Sequence, residues 1–229
     1  MTVEFRIISI GTLSRNVFWS ETEAVRTPHA TTTLVTSGDQ KILVDPSLPG
    51  PVLNARLYER AGIRNADVTA VFLTTFRPVH RAALAAFDQA KWYLHGREKE
   101  HAKKLLDQLR RRSRPEPNIE DDARRIIEEE LELLNRCQSA PEKLADQVEL
   151  FPSPGVSPGS SGLLLTPPVG AVVIAGDAVI NTEYLEHGRV WDDSFDLKQA
   201  QESLRDILEV ADVIVPGHDN LIPLMGKLL

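Results

Sequence analysis

Short runs of β-branched and aliphatic residues recur along the chain, bounded by polar turns and separated by stretches of helical spacing. Val3, Phe5, Ile7, Ile8 and Ile10 alternate enough to predict an opening strand over 3–11. Thr31 to Val35 is β-branched, Ser37-Gly38-Asp39-Gln40 reads as a turn, and Lys41 to Asp45 pairs back as a hairpin. A helix is expected from Pro51 to Ala61, with Val52, Ala55 and Tyr58 on one face and Gly62 as its stop. Val68 to Leu73 is continuously apolar and reads as a buried strand. A polar loop, Thr74 to His80, follows it, then a segment of helix-forming composition, Arg81 to Phe87, and a strand, Lys91 to His95.

Residues 97–147 change character: they are strongly charged and helical. Ala102, Leu105, Leu106 and Leu109 give one apolar stripe. Pro115-Glu116-Pro117-Asn118 breaks it, with Asn118 as N-cap, and Glu120-Asp121-Asp122 suits the positive end of a second helix. Ile119, Ala123, Ile126, Ile127, Leu131 and Leu134 form its stripe. Strand patterning resumes at Val148–Phe151, Leu163–Leu165, Ala171–Ile174 and Ala211–Val215, with an acidic loop at 181–196 and an amphipathic helix at Leu197–Val210.

Composition narrows the class. At 229 residues, 42% hydrophobic and 26% charged, the chain suits one well-buried domain, 1–229. A net charge of -7 argues against a general nucleic-acid binder, which needs basic patches. The basic run Arg110 to Arg114 reads as a solvated helix end. The single cysteine, Cys137, excludes an internal disulfide and reads as a small core residue in a helical segment. No signal-peptide pattern and no membrane-length apolar run is present, so a cytoplasmic protein with no membrane partner is expected. No serine elbow, Walker loop or dinucleotide fingerprint appears.

Five short motifs carry the chemistry. Thr74-Thr75-Phe76-Arg77-Pro78-Val79-His80 lies between a strand and a helical segment; Leu43-Val44-Asp45 ends a hairpin; Pro154-Gly155-Val156-Ser157-Pro158-Gly159-Ser160 follows a strand; and Gly176-Asp177 and Pro216-Gly217-His218 each end one. In chain order they resemble the motifs of the metallo-β-lactamase superfamily, over about residues 31–95 and 148–220. The resemblance implies a four-layer αββα sandwich, with the helical pair at about 97–147 as an inserted hairpin.

It also implies where metals would bind. The positions of the first metal's histidines are Thr75, Arg77 and Val156 here. Valine has no donor atom, a threonine hydroxyl is a poor zinc ligand, and arginine stays protonated. Of the second set, Val79 replaces an aspartate, while His80, Asp177 and His218 remain. The motif is therefore degenerate, and at most one metal is expected, zinc or else iron or manganese, at His80, Asp177 and His218. Asp45 stands where the family braces the metal loop.

Two readings stay open. One is a metal-dependent hydrolase with a mononuclear site, in which Asp177, His218 and Arg77 serve catalysis. The other is a catalytically inactive homologue without metal, in which Arg77 pairs with Asp177, replaces the metal's charge, and recognises a small anionic ligand, or in which the chain binds a protein partner. His29 and His187 are weaker site candidates, and His95 and His101 read as structural. The helical insertion, through residues 98–137, is expected to form a homodimer arm or a lid.

Overall fold

Residues 2–112 and 120–224 are described by a computed structural model. The elements are β1 (Glu4–Ser9), β2 (Thr32–Ser37), β3 (Gln40–Val44), α1 (Gly50–Ala61), β4 (Ala70–Leu73), β5 (Lys91–Leu94), α2 (Gly96–Arg112), α3 (Glu120–Arg136), β6 (Gln138–Ser139), β7 (Lys143–Ala145), β8 (Val148–Pro152), β9 (Ser161–Leu165), β10 (Val172–Gly176), α4 (Thr182–Glu186), α5 (Leu197–Val210), β11 (Val213–Pro216) and β12 (Ile222–Pro223). They build two six-stranded sheets, β1-β2-β3-β4-β5-β6 and β12-β11-β10-β9-β8-β7.

The period of two along each central strand divides the apolar residues between layers. Val35, Ile42, Val44, Ala70 and Phe72 point inward and meet Leu163, Leu165, Val172, Ile174 and Val215 of the other sheet. Their neighbours Leu34, Leu43, Val71 and Leu73 point outward, onto Leu53 and Leu57 of α1 and Leu134 of α3. On the far side, Val173, Ala175 and Ile214 pack against Ala200, Leu204 and Ile207 of α5. The result is the expected αββα sandwich. β3, β4 and β5 run parallel, as do β10 and β11. The ends of those parallel strands therefore gather along one edge, where open α/β sheets place their sites.

Several local expectations are corrected. α1 buries Leu53 and Leu57, while Val52 and Tyr58 are exposed. The aliphatic pair at i and i+4 takes the core side, so the stripe lies one residue on from the expected one. Arg81–Phe87 is not an α-helix: two short 3-10 turns, Pro78–His80 and Leu84–Phe87, occupy this region. Here the amide of Ala83 donates to Pro46 O at 2.9 Å and the Arg81 Nε to Phe76 O at 2.7 Å, which ties the segment to the site loop. Cys137 falls just past α3 and is buried. The acidic loop contains the one-turn α4, capped by Asn181.

α2 and α3 pack on each other and bury Ala102, Ile127, Leu131 and Leu134, whereas Leu105 and Ile126 stay about half exposed. The predicted cap Asn118 and the start of that stripe, Ile119, lie outside the described residues. Among the described residues no helix is long and apolar enough to cross a membrane.

Candidate functional site

Four motif residues stand at or just beyond the carboxyl ends of parallel strands. Asp45 follows β3, Thr74 follows β4, Asp177 follows β10, and His218 lies just beyond β11. Two glycines let these ends approach. Gly176 has φ +53°, and a Cβ there would meet Thr74 Oγ1 at 2.5 Å across the sandwich. A Cβ on Gly217 would lie 2.7 Å from Asp177 Oδ1.

The centre is Asp177, 2% exposed. Its Oδ2 lies 3.1 Å from His80 Nε2 and 2.9 Å from the Arg77 guanidinium, and its Oδ1 lies 3.1 Å from His218 Nε2. The outer nitrogen of each imidazole is fixed. His80 Nδ1 faces Asp45 Oδ2 at 2.9 Å. His218 Nδ1 donates to the carbonyls of His29 at 3.0 Å and Thr12 at 3.2 Å. Asp45 is anchored in turn by the Thr74 amide at 2.9 Å and the Thr74 hydroxyl at 2.7 Å.

Electrostatics follow from this packing. Burial alone would push the His80 pKa down, but the Asp177 and Asp45 carboxylates overcome it and raise it from 6.5 to about 10. Burial alone would raise the Asp177 pKa, yet His80 and His218 hold its carboxyl well below the usual carboxylate range. The imidazoles can face Asp177 only as N–H donors or across a shared cation.

His80, Asp177 and His218 place one ligand atom each within 4.8 Å of one another, all buried. His80 Nε2 and Asp177 Oδ1 are buried without a hydrogen-bond partner of acceptable geometry, despite their close ionic neighbours. Close but poorly directed contacts of this kind suit side chains that converge on a third atom, and locked outer nitrogens are the usual setting of metal-binding histidines. Two histidines and a carboxylate fit one Zn²⁺, or Fe²⁺ or Mn²⁺, with open positions.

The other half of the site is organised differently. Thr75 and Val156 are buried beside a carboxylate that the sequence pattern does not single out, Glu98 in the first turn of α2. Glu98 is 3% exposed. Its Oε1 accepts from the Thr75 hydroxyl at 2.9 Å and the Phe76 amide at 3.1 Å, and its Oε2 accepts from the Ser157 hydroxyl. Glu98 reads as one more solvated charge in a charged helix. The only signal for it is its place in a first turn directly after a strand.

Arg77 lies over the Trp191 ring at 5.2 Å, and Trp191 also flanks His218 at 6.4 Å between ring centroids. The backbone of His29 reaches the site, but its ring turns away to Ile10 O at 3.1 Å. The His187 ring stacks on Phe18 at 4.3 Å, away from Asp177. Val79 offers no donor side chain, and its carbonyl accepts from the Ala30 amide at 3.1 Å.

A profile of the metallo-beta-lactamase superfamily matches residues 26–218. A comparison with curated proteins finds no significant match. Among solved structures, a candidate metallo-beta-lactamase from Thermotoga maritima is 19% identical, with a TM-score of 0.71 over 98% of this chain and 100% of that one. AidC, a dizinc quorum-quenching lactonase solved with a product, N-hexnoyl-L-homoserine, is 15% identical, with a TM-score of 0.65 over 97% and 92%. A variant of AiiA from B. thuringiensis with N-decanoyl-L-homoserine at its active site is 20% identical, with a TM-score of 0.59 over 91% and 88%. At these identities the likeness is one of fold.

Proposed function

Because the chain belongs to the metallo-beta-lactamase superfamily, we propose that it is a hydrolase whose site takes one metal ion, held by His80, Asp177 and His218. The observation that carries this reading is the pair of imidazoles with fixed outer nitrogens and inner nitrogens turned to one buried carboxylate. When bound, such an ion supplies a Lewis acid and an acidified water. The chain's own residues orient and restrict. Asp45 fixes the His80 ring through Nδ1, and the Thr12 and His29 carbonyls fix that of His218. Arg77 keeps guanidinium donors beyond the one on Asp177 and holds them at the mouth of the site, where a substrate oxygen would meet them. Lactonases among the structural neighbours support hydrolysis of a carbonyl ester as the reaction class: water is added across the acyl C–O bond, releasing an acid and an alcohol.

A second reading is favoured by one contact, the 2.9 Å Arg77–Asp177 ion pair, in which Arg77 takes the place of a metal charge and the chain binds a small ligand without catalysis. We further read α2 and α3 as an insertion within a single domain, 1–229, and as the arm of a homodimer through residues 98–137.

Metal analysis of protein purified without chelator separates the readings. About one zinc, iron or manganese per chain is expected, lost in Asp177→Asn and His218→Ala. Negligible metal in the wild type, with His218→Ala unchanged in stability and ligand binding, would overturn the hydrolase.

A further inference from the structure

A cavity of about 360 Å³ opens between the site loop and α2. Its size lies in the range of small-molecule sites, about 300–1,000 Å³. The three residues that stand where the first metal's ligands would be, Thr75, Arg77 and Val156, all line it. We infer that this half of the site is a binding pocket for an uncharged, apolar carbonyl compound, its oxygen on Arg77 and its hydrocarbon part against α2. The inference rests on the hydrolase reading only in taking that compound as the acyl portion of the substrate.

The apolar wall is built by Phe76, Pro78, Ala102, Leu105, Leu106 and Val156. Leu105 is 49% exposed, an aliphatic side chain left half open at the cavity rim. At the inner end Arg77 has, among the described residues, one ion-pair partner, Asp177, and its side chain is 41% exposed. A guanidinium carries five N–H donors, so most of its capacity faces the cavity and the mouth. A carbonyl oxygen there is also adjacent to the Asp177 centre.

Charge decides against an anion. Glu98, Glu130 and Asp193 line the cavity together with Arg77 and Arg81. Arg81 is committed to Glu130 and to Phe76 O, and Arg77 to Asp177. Glu98 is held by hydroxyl and amide donors with no cation on it. His101 faces Phe195 with ring centroids 5.5 Å apart. Among the described residues both guanidinium charges are thus balanced by a carboxylate, which leaves Glu98 and Asp193 as excess negative charge on the lining; an entering carboxylate meets that excess, whereas a neutral carbonyl needs only one of the remaining Arg77 N–H donors. The same field disfavours the acid that ester hydrolysis would leave behind.

The test is calorimetric titration of the full chain, in chelator, with methyl hexyl ketone, acetone and octanoate. Methyl hexyl ketone is expected to bind about tenfold or more tighter than either acetone or octanoate. Leu105→Trp should fill the rim and weaken the ketone about tenfold, Arg77→Gln about fivefold, and Val169→Trp, exposed between β9 and β10 and not among the residues that line the cavity, should leave it unchanged. Octanoate binding as tightly as the ketone, or Leu105→Trp leaving the ketone's affinity intact, would overturn the inference. Because no metal is present, ketone binding upholds the pocket even where metal analysis sinks the hydrolase. Metal uptake without ketone binding overturns the pocket alone.

Discussion

Asp45→Asn isolates a charge from a shape. Asp45 is 2% exposed and has φ +49°, a left-handed conformation that Asn adopts as readily as Asp. The substitution therefore leaves the backbone unstrained. It changes what the side chain offers to three donors: the Thr74 amide at 2.9 Å, the Thr74 hydroxyl at 2.7 Å and His80 Nδ1 at 2.9 Å. The amide oxygen of Asn can keep the Thr74 amide. Its NH₂ then faces the Thr74 hydroxyl, which can turn to accept, and His80 Nδ1, which must give up its proton. Breaking a buried ion pair costs about 3–5 kcal/mol, and the tautomer shift recovers part of that, so about 3 kcal/mol of destabilisation is expected. For a chain of this size that lowers Tm by about 6–12 °C.

The assay is urea unfolding in chelator at neutral pH, followed by tryptophan fluorescence. It is paired with ¹⁵N spectra of the imidazoles, which should show His80 changing from doubly protonated to a neutral tautomer. Asp45→Ala should cost about 1–2 kcal/mol more, because alanine is strained at this φ. A loss below about 0.5 kcal/mol for Asp45→Asn, the scale of a surface change, refutes the ion pair as a structural element.

Glu98→Ala should destabilise by about 3 kcal/mol in the same assay, since the Thr75 hydroxyl, Phe76 amide and Ser157 hydroxyl lose their acceptor, while Glu98→Gln costs about 1 kcal/mol. Gly217→Ala puts a methyl 2.7 Å from Asp177 Oδ1 and 2.9 Å from the Gly176 carbonyl carbon; a loss of about 3 kcal/mol and of metal binding is expected, checked by unfolding and metal content. The metal-free protein should lose stability as pH rises. His80 has a folded pKa raised from 6.5 to about 10, so its contribution is full below 6.5 and disappears through about 10. Cys137, raised by burial from 9.0 to about 11, adds to the loss between those values. Urea midpoints measured across this range check it, and a flat profile contradicts it. The buried Cys137 thiol should also resist alkylation at neutral pH until the chain unfolds.

The sandwich was legible because its central strands must satisfy two faces at once. Val71 and Leu73 meet helices while Ala70 and Phe72 meet the other sheet, which writes continuous apolar runs into the sequence. The three side chains that the fold brings together, His80, Asp177 and His218, were legible because they fall in short motifs at strand ends. What was not legible depends on tertiary partners. In the 3-10 turns around His80 the Ala83 amide donates to Pro46 O, across the fold, rather than to a carbonyl one helical turn back, and helical propensity carries no trace of that. The choice between the Val52–Tyr58 and Leu53–Leu57 faces of α1 is made by the sheet beneath. Glu98 belongs to a charged helix whose composition points to solvent, and only the fold brings it onto Thr75 and Ser157.

The location of unsatisfied atoms separates a decayed site from a remodelled one. Random loss of metal ligands leaves buried polar groups without partners, at about 1–3 kcal/mol each. In the half that lacks its ligands, Thr75, the Phe76 amide and Ser157 all donate to one carboxylate, and Val156 brings no polar atom. Those three donors and Glu98 satisfy one another, and this half opens on an apolar-walled cavity. The orphaned ligand atoms, His80 Nε2 and Asp177 Oδ1, lie instead in the half that kept its histidines and carboxylate. Arg77 touches both halves, bonded to Asp177 on one side and lining the cavity on the other. Substitutions that had only drifted would not divide the site this way. One half is organised around Glu98, and the other brings together His80, Asp177 and His218, the three buried side chains that could hold one metal ion.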